Sequence, residues 1–324
     1  MNSLQAIRYR RYGPPAVLRL EEAEKPVPLA TEALIQIRAA ALNPLDWHFL
    51  RGSPYGIRFM TGLRGPRSSG LGVDAAGVVE SVGARVTGLR PGDAVFGSCR
   101  EAFAEFACAD ESALVLKPEN ISFQQAAAVP VAAFTALQAL RDKGRLRPEQ
   151  RVLINGAAGG VGTFAVQIAR WMGAEVTGVC STRNVERLRS IGAHHVIDYS
   201  MENFTQGTQL YHLMLDCIGN HPLSACRRIL SRGAAYVMIG APSGRWIAPM
   251  DRAIAMRLLS PFVSQKLEAL VARTSQADLL LMRDLLEKGT VTPIIDRTYP
   301  LDQVPQAIAY LEEGHSCGKV IITV

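Results

Sequence analysis

Apolar and polar positions follow two different rhythms along the chain. Over the first 120 residues the apolar positions come in short, partly β-branched runs at 33–40, 75–82, 93–96 and 103–107, punctuated by Gly and Pro, and Arg90-Pro91-Gly92-Asp93 reads as a turn. This half is predicted to be mainly β. The texture changes at Ser122, where Ser122-Phe123-Gln124-Gln125 has the Ser-x-x-Gln form of a capping box and an Ala-rich helical run follows to about Leu140. Strand and helix then alternate. Strands are predicted at 151–155, 175–180, 195–198, 213–217 and 234–239, with helices at 161–172, at 184–190 closed by Gly192, and at about 222–230. Repeated β-α-β at this spacing predicts an α/β fold with a parallel, doubly wound sheet carrying helices on both faces. Two amphipathic helices near 276–288 and 302–313 and a last strand at 319–324 form the tail. With the β-like 294–297 it falls outside the alternation, so it is expected to return to the first domain. No internal repeat or low-complexity segment is evident.

Composition narrows the class. A chain of 324 residues, 48% hydrophobic and 20% charged, is long enough for about two domains and apolar enough to give each a core, which excludes disorder, collagen and coiled coil. The net charge is +6, and only six of the 35 basic residues are lysines, so arginine carries the excess. The arginines are scattered, and no basic tract, zinc-finger spacing or aromatic RNA-binding stretch accompanies them, so no nucleic-acid partner is expected. Arginine also suits a phosphorylated cofactor, which its planar fork of donors matches. Cys99, Cys108, Cys180, Cys217, Cys226 and Cys317 never approach a C-x-x-C spacing and read as reduced thiols, neither a disulfide framework nor a Cys-rich zinc site. The most apolar stretch, 126–140, is too short and too interrupted for a membrane span, and no charged and apolar leader opens the sequence. A cytoplasmic protein without a membrane partner is expected.

The sharpest motif is Gly156-Ala157-Ala158-Gly159-Gly160-Val161-Gly162, between the predicted strand 151–155 and the helix that starts near Val161. Glycines there allow a tight turn, a close approach of backbone to a pyrophosphate and close packing of helix on strand, while the helix start offers free N–H groups. Strand, loop and helix stand in the required order, so the loop is read as a dinucleotide site. At the end of the second strand an acid would hold the 2′-hydroxyl of NAD. This chain instead reads Cys180-Ser181-Thr182-Arg183-Asn184, with Arg187 one helical turn further on. Two hydroxyls and an arginine can cradle a 2′-phosphate, so NADP(H) is the expected cofactor; the alternative is that Arg183 and Arg187 merely coat a solvated helix.

The glycine loop, the Ser-Thr-Arg-Asn run and Asn43-Pro44-Leu45-Asp46 together resemble the medium-chain dehydrogenase/reductase superfamily, and within it the zinc-free quinone oxidoreductase branch. Gly72-Val73-Asp74-Ala75-Ala76-Gly77-Val78-Val79, Arg90-Pro91-Gly92-Asp93-Ala94-Val95, Ala126-Ala127-Ala128-Val129-Pro130 and Gly318-Lys319-Val320 extend the likeness, in order, over nearly the whole chain. The resemblance implies a GroES-like β domain (1–122 and 292–324), a Rossmann NADP-binding domain (123–291) and an active site in the cleft between them. Zinc-dependent members carry Cys where this chain has Asn43 and His where it has Val73, and the four-Cys structural zinc loop is missing. No metal site is expected, because valine cannot bind a metal and an amide is a poor substitute for thiolate.

NADPH without a metal suits hydride delivery to a carbon already activated by conjugation, in a quinone or an α,β-unsaturated carbonyl. Asn43 can donate its amide N–H to the oxygen that gains charge, or it is only the turn residue before Pro44. Asp46 orients Asn43 or binds an Arg near the cleft, or it serves only as an Asx-type turn or helix cap. Tyr55 could stack on a ring or donate a proton, whereas Trp47 and Phe49 read as packing. His48 is the only histidine beside this group. The resemblance places Thr135 and the backbone of Gly240 on the nicotinamide side and Tyr199 on the adenosine side. Cys217, at the end of the predicted strand 213–217, joins Gly156, Ala158, Gly159, Gly160, Val161, Ser181, Thr182 and Arg183 in the candidate cofactor set. Lys319 contacts a phosphate or the substrate, or is a surface charge. Pocket walls are expected from 55–69 and 242–252. The resemblance also implies a homodimer, often through the strand 234–239. Against the main reading stand a zinc-independent aldehyde or ketone reductase and a non-catalytic NADPH-binding sensor or adaptor.

Overall fold

The computed structural model describes residues 3–240 and 250–324. In chain order its strands are β1 (Ser3–Arg8), β2 (Arg19–Glu24), β3 (Glu32–Ala41), β4 (Asp74–Val82), β5 (Ala94–Ser98), β6 (Phe106–Asp110), β7 (Leu114–Leu116), β8 (Arg151–Asn155), β9 (Glu175–Cys180), β10 (His195–Asp198), β11 (Tyr211–Asp216), β12 (Leu230–Met238), β13 (Lys266–Ala269), β14 (Ile295–Pro300) and β15 (Lys319–Thr323). The helices are α1 (Pro44–Arg51), α2 (Arg58–Thr61), α3 (Phe123–Ala127), α4 (Pro130–Gln138), α5 (Gly160–Trp171), α6 (Val185–Ser190), α7 (Leu223–Arg228), α8 (Met250–Leu259), α9 (Gln276–Glu287) and α10 (Val304–Glu312). They fall into two compact units, 1–134 with 274–324 and 135–273.

Unit 1 is built on one sheet in the order β14-β15-β3-β4-β5-β7, with β6 added on β3. β3 is an interior strand paired with β4, β6 and β15, and its seven apolar residues are all buried while Arg38 stays exposed. Ile35, Ile37, Leu50, Phe103, Val304, Ile308 and Ile322 meet in the core of this unit. The tail returns here as expected: β15 runs antiparallel to β3, with Ile321 opposite Ala41, and parallel to β14. Two helices that the bounds 123–291 place in the second domain belong to this unit, α3 packing on β3 and β4 and α9 on β7; for α9 this agrees with the expected return of the tail.

The capping box forms, with the Ser122 hydroxyl accepting from the Gln125 N–H at 3.1 Å and the Gln125 side chain accepting from the Ser122 N–H at 3.0 Å. The helical run to Leu140 does not stay whole. It breaks between α3 and α4, because Pro130 has no N–H to continue the ladder and disfavours a helical conformation in the residue before it. The strand expected at 103–107 lies later, in β6, and Ala104 makes only an isolated bridge to Ala6.

Unit 2 is a parallel sheet in the order β10-β9-β8-β11-β12-β13. The chain winds one way from β8 through α5 and α6 to β10, then the other way from β11 through α7 to β12, which makes the fold doubly wound. The reversal falls between β8 and β11, where such sheets open a crevice at their carboxyl ends. The strand proposed for dimer contact lies inside β12, which is paired with β11 on one side and β13 on the other. It is an interior strand, so an edge-to-edge contact through it is excluded; the end strand is β13. None of the six cysteines forms a disulfide, and all but Cys217 are buried. No described helix is long and apolar enough to cross a membrane.

Candidate functional site

In unit 2 the carboxyl ends of β8, β11 and β12 bring together Gly156, Cys217 and Gly240. Gly156 sits at φ +80°, and a Cβ there would lie 2.7 Å from Ile218. Gly162 must also lack a side chain, since a Cβ would stand 2.2 Å from the carbonyl oxygen of Gly156. The loop is thereby pressed onto α5, whose first intrahelical bond runs from Thr163 N–H to the Gly159 carbonyl at 3.0 Å. The amides of Gly160, Val161 and Gly162 precede that bond and remain the open donors of the helix start. Ala158 is buried beneath the loop. A Cβ on Gly240 would meet the Cys217 carbonyl oxygen at 2.0 Å, so these two backbones touch as closely as backbone allows. A loop of this shape, with its donors at the switch point of the sheet, fits a pyrophosphate.

Beside it, at the end of β9, Ser181 starts a short turn that carries Thr182, Arg183 and Asn184. The Asn184 amide donates to Ser181 Oγ at 3.2 Å. Tyr199 is brought alongside, its N–H bonded to the Cys180 carbonyl at 3.0 Å and the residue 57% exposed. The adenosine-side candidates thus converge on one edge. They are joined by an acid the pattern did not single out. Asp198 ends β10 opposite Cys180 in the register. Its Oδ1 accepts from Ser200 Oγ at 2.6 Å, and Ser200 Oγ lies 2.9 Å from Thr182 Oγ1.

In unit 1 the segment after β3 builds a second constellation. Asn43, Asp46, Asp74 and Lys319 are all buried. Asn43 Nδ2 donates to Asp74 Oδ2 at 2.9 Å, and Lys319 Nζ donates to Asn43 Oδ1 at 2.6 Å and to the Leu42 carbonyl at 3.0 Å. Lys319 Nζ also lies 3.6 Å from Asp74 Oδ2, whose partner oxygen accepts the Val131 N–H. Asp46, in the first turn of α1, accepts the backbone N–H of Asn43 at 2.7 Å and of Gly72 at 3.1 Å. It therefore both caps the helix and orients Asn43, and its two oxygens meet backbone N–H groups rather than an arginine. Burial pushes the Asp46 carboxyl up to about 7, against the pull of those N–H groups. Burial likewise pushes Asp74 up and Lys319 down, each opposed by the charge of the other.

Lys319 is thus an internal ammonium beside Asn43, not a surface charge, and it belongs to unit 1 whereas the phosphate loop belongs to unit 2. Tyr55 is 38% exposed, and the Arg58 guanidinium lies 4.7 Å from its ring centre. Trp47 and Phe49 pack on the core as expected. His48 stacks on Trp47 and pairs its Nδ1 with the Ser53 carbonyl at 2.7 Å, and burial holds its pKa down. Thr135 is buried in α4, where unit 2 begins. A cavity of about 740 Å³ opens within unit 1, with Asp46, Phe49, Met60, Thr61, Val73 and Cys99 among its walls. Met60, Thr61, Arg67 and Ser68 of the 55–69 segment line it, whereas Asn43 and Tyr55 are not among its walls; of the second proposed wall, 241–249 lies outside the described residues.

Asp74 stands within the Gly72–Val79 motif, which does not mark it as a site residue, and no motif marks Asp216. Asp216 is buried at the end of β11, accepting from Asn155 Nδ2 at 2.8 Å and from the Tyr236 hydroxyl at 2.5 Å. The available signal for each, and for Asp198, was an acid at or beside the terminus of a predicted strand, Asp74 at the start of β4, Asp198 and Asp216 at the last residues of β10 and β11. Among the described residues no cluster of His, Cys, Asp and Glu has the arrangement of a metal site. Val73 offers no ligand atom, and the Lys319 ammonium already supplies positive charge to Asn43 and Asp74.

Residues 29–132 match the family model described as alcohol dehydrogenase GroES-like domain, and residues 191–322 the one described as zinc-binding dehydrogenase. The chain is 32% identical to a 2-methylene-furan-3-one reductase of Solanum lycopersicum over 338 residues, covering 99% of this chain and 79% of that one. It is 31% identical to the quinone oxidoreductase of Mus musculus, over 98% of this chain and 97% of the other. The solved structure of the quinone oxidoreductase from Coxiella burnetii superposes with a TM-score of 0.88 at 27% identity, covering 99% of both chains.

Proposed function

Because the chain belongs to the medium-chain dehydrogenase/reductase superfamily and is quinone oxidoreductase-like within it, we propose that this oxidoreductase uses NADPH, without a metal, to reduce quinones or α,β-unsaturated carbonyl compounds. The observation that carries the reading is the meeting, at one sheet edge, of the glycine loop with Ser181, Thr182, Arg183 and Tyr199. Arg183 and the Ser181 hydroxyl are donors where a 2′-phosphate would lie, and the amides of Gly160, Val161 and Gly162 are donors for the pyrophosphate.

The acceptor class follows from the donor set in unit 1. A carbonyl polarised by zinc needs ligands that Asn43 and Val73 do not supply, so the acceptor must bring its own activation, as a conjugated ring or enone does. When bound, NADPH supplies the hydride. Asn43 has two amide hydrogens, and Asp74 takes one; the other donates to the acceptor oxygen as charge builds on it. Lys319 on Oδ1 polarises that amide and makes it a stronger donor. Asp46 fixes the Asn43 backbone through the N–H bond at the start of α1.

The test is NADPH oxidation by purified protein across matched acceptors that differ only in offering a C=C or a C=O for reduction, run with Arg183→Glu in parallel. The proposal expects turnover on quinones or enones well above simple aldehydes, and a loss of NADPH affinity in the variant of about tenfold or more with NADH little changed. Tight NADPH binding with no turnover on any acceptor would instead identify a sensor or adaptor.

A further inference from the structure

The adenosine-side edge holds a carboxylate as well as an arginine, and its hydrogen bonds run in a defined direction. Ser200 donates both its N–H, at 3.0 Å, and its hydroxyl, at 2.6 Å, to Asp198 Oδ1. Ser200 Oγ lies 2.9 Å from Thr182 Oγ1, and Thr182 also bonds the Asp198 carboxylate through its side chain and its backbone. Both hydroxyl hydrogens therefore point inward, and Thr182 and Ser200, both exposed, turn lone pairs to the outside. Such an edge accepts hydrogen bonds. It suits a sugar hydroxyl, a donor, better than a phosphate, which has only acceptor oxygens at high charge.

We propose that Asp198 is a specificity-determining residue: with Thr182 and Ser200 it accepts the ribose 2′-hydroxyl of NADH and weakens NADPH by charge repulsion, so that the protein binds both dinucleotides. This rests on the reading of this edge as the adenosine-side site. The place is unusual only in sequence. The acid comes from the end of β10, about 40 residues past the glycine loop, and reaches the end of β9 because the two strands are paired, Asp198 opposite Cys180. The bonds from Ser200 and Thr182 also hold its carboxyl below the usual carboxylate range, so it stays charged at neutral pH. A carboxylate and a phosphate near −2, about 6–8 Å apart in a water-like dielectric, cost each other roughly three- to tenfold in binding.

The experiment is titration of NADPH and NADH by nucleotide fluorescence for the wild type, Asp198→Asn, Ser200→Ala and Arg183→Glu, at low salt and at about 1 M NaCl. Asp198→Asn should tighten NADPH roughly three- to tenfold and leave NADH unchanged or weaker, and the gain should shrink at high salt. Ser200→Ala keeps the charge and removes one acceptor, so it should leave NADPH within about twofold and leave NADH unchanged or weaker. A ratio unmoved by Asp198→Asn, a gain that persists undiminished in salt, or an equal gain in Ser200→Ala overturns the proposal. If Arg183→Glu also leaves the ratio unmoved, the edge is not the adenosine-side site and the underlying reading falls with it. If Arg183→Glu shifts the ratio and Asp198→Asn does not, only the role of Asp198 falls.

Discussion

Four polar side chains of unit 1, Asn43, Asp46, Asp74 and Lys319, share one buried neighbourhood whose charges nearly balance. Such a group survives burial only because almost every donor meets an acceptor, and its removal in parts is more damaging than its presence is stabilising. Asp46 is the member whose titration can be followed. Its carboxyl is raised by burial to about 7, whereas in the unfolded chain it titrates near 4. Between those values the folded protein keeps a proton that the unfolded chain releases. Stability from this group is therefore full below about pH 4 and is lost as pH rises through about 7. Asp46→Asn cannot titrate, so the stability of the wild type relative to this variant should fall from pH 4 to 8 by up to about 4 kcal/mol, read from denaturant melts. Parallel curves would show that Asp46 is ionised throughout. None of this was visible around Asn43 in the sequence beyond the motif itself. Lys319 is 276 positions away, and only the pairing of β15 with β3 delivers its ammonium to Asn43.

At the scale of single elements, the strand-loop-helix from β8 to α5 was legible because its demands are local: glycine where φ is positive, glycine where backbone meets backbone, and free amides at a helix start. The Asp198 edge was not, since it depends on which strand lies next to β9. The glycines of the loop also separate into kinds that a motif does not distinguish. An alanine at position 162 would place its Cβ 2.2 Å from the Gly156 carbonyl oxygen, whereas at 159 it would lie 3.4 Å from the same atom, at an ordinary φ of −78°. Alanine gains up to about 1 kcal/mol over glycine inside a helix, but forcing backbone apart costs about 1–3 kcal/mol and wins here. Gly162→Ala should thus lower the stability to urea and weaken dinucleotide binding, while Gly159→Ala leaves the stability within about 0.5 kcal/mol. Equal stability of the two variants would mean that the loop is not pressed onto α5.

For the whole molecule, alternation of strand and helix was enough to foresee the doubly wound sheet, but not which strand ends it. β13 was missed because it is four residues long and nowhere fully buried, so it carries no apolar run. It moves the expected dimer contact from β12 to the outer edge of β13, which pairs with no other strand among the described residues. In a parallel ladder the backbone groups of successive residues point to opposite sides. Leu270 N–H bonds the Met238 carbonyl, so Ala269 turns its N–H away from β12 toward the open edge. Exposed apolar residues gather beside it: α8 packs next to β13, with Leu258 69% and Phe262 83% exposed. An open edge flanked by such a surface is a place for a second copy of the same sheet to pair across a two-fold axis. Sedimentation equilibrium should therefore give the mass of two chains for the wild type. Ala269→Pro removes one edge-facing N–H and leaves the bonds to β12 intact, so it should shift the protein toward a single chain with its far-ultraviolet circular dichroism unchanged. A wild type that sediments as one chain, or a proline variant that dimerises as tightly as the wild type, excludes this edge as the contact.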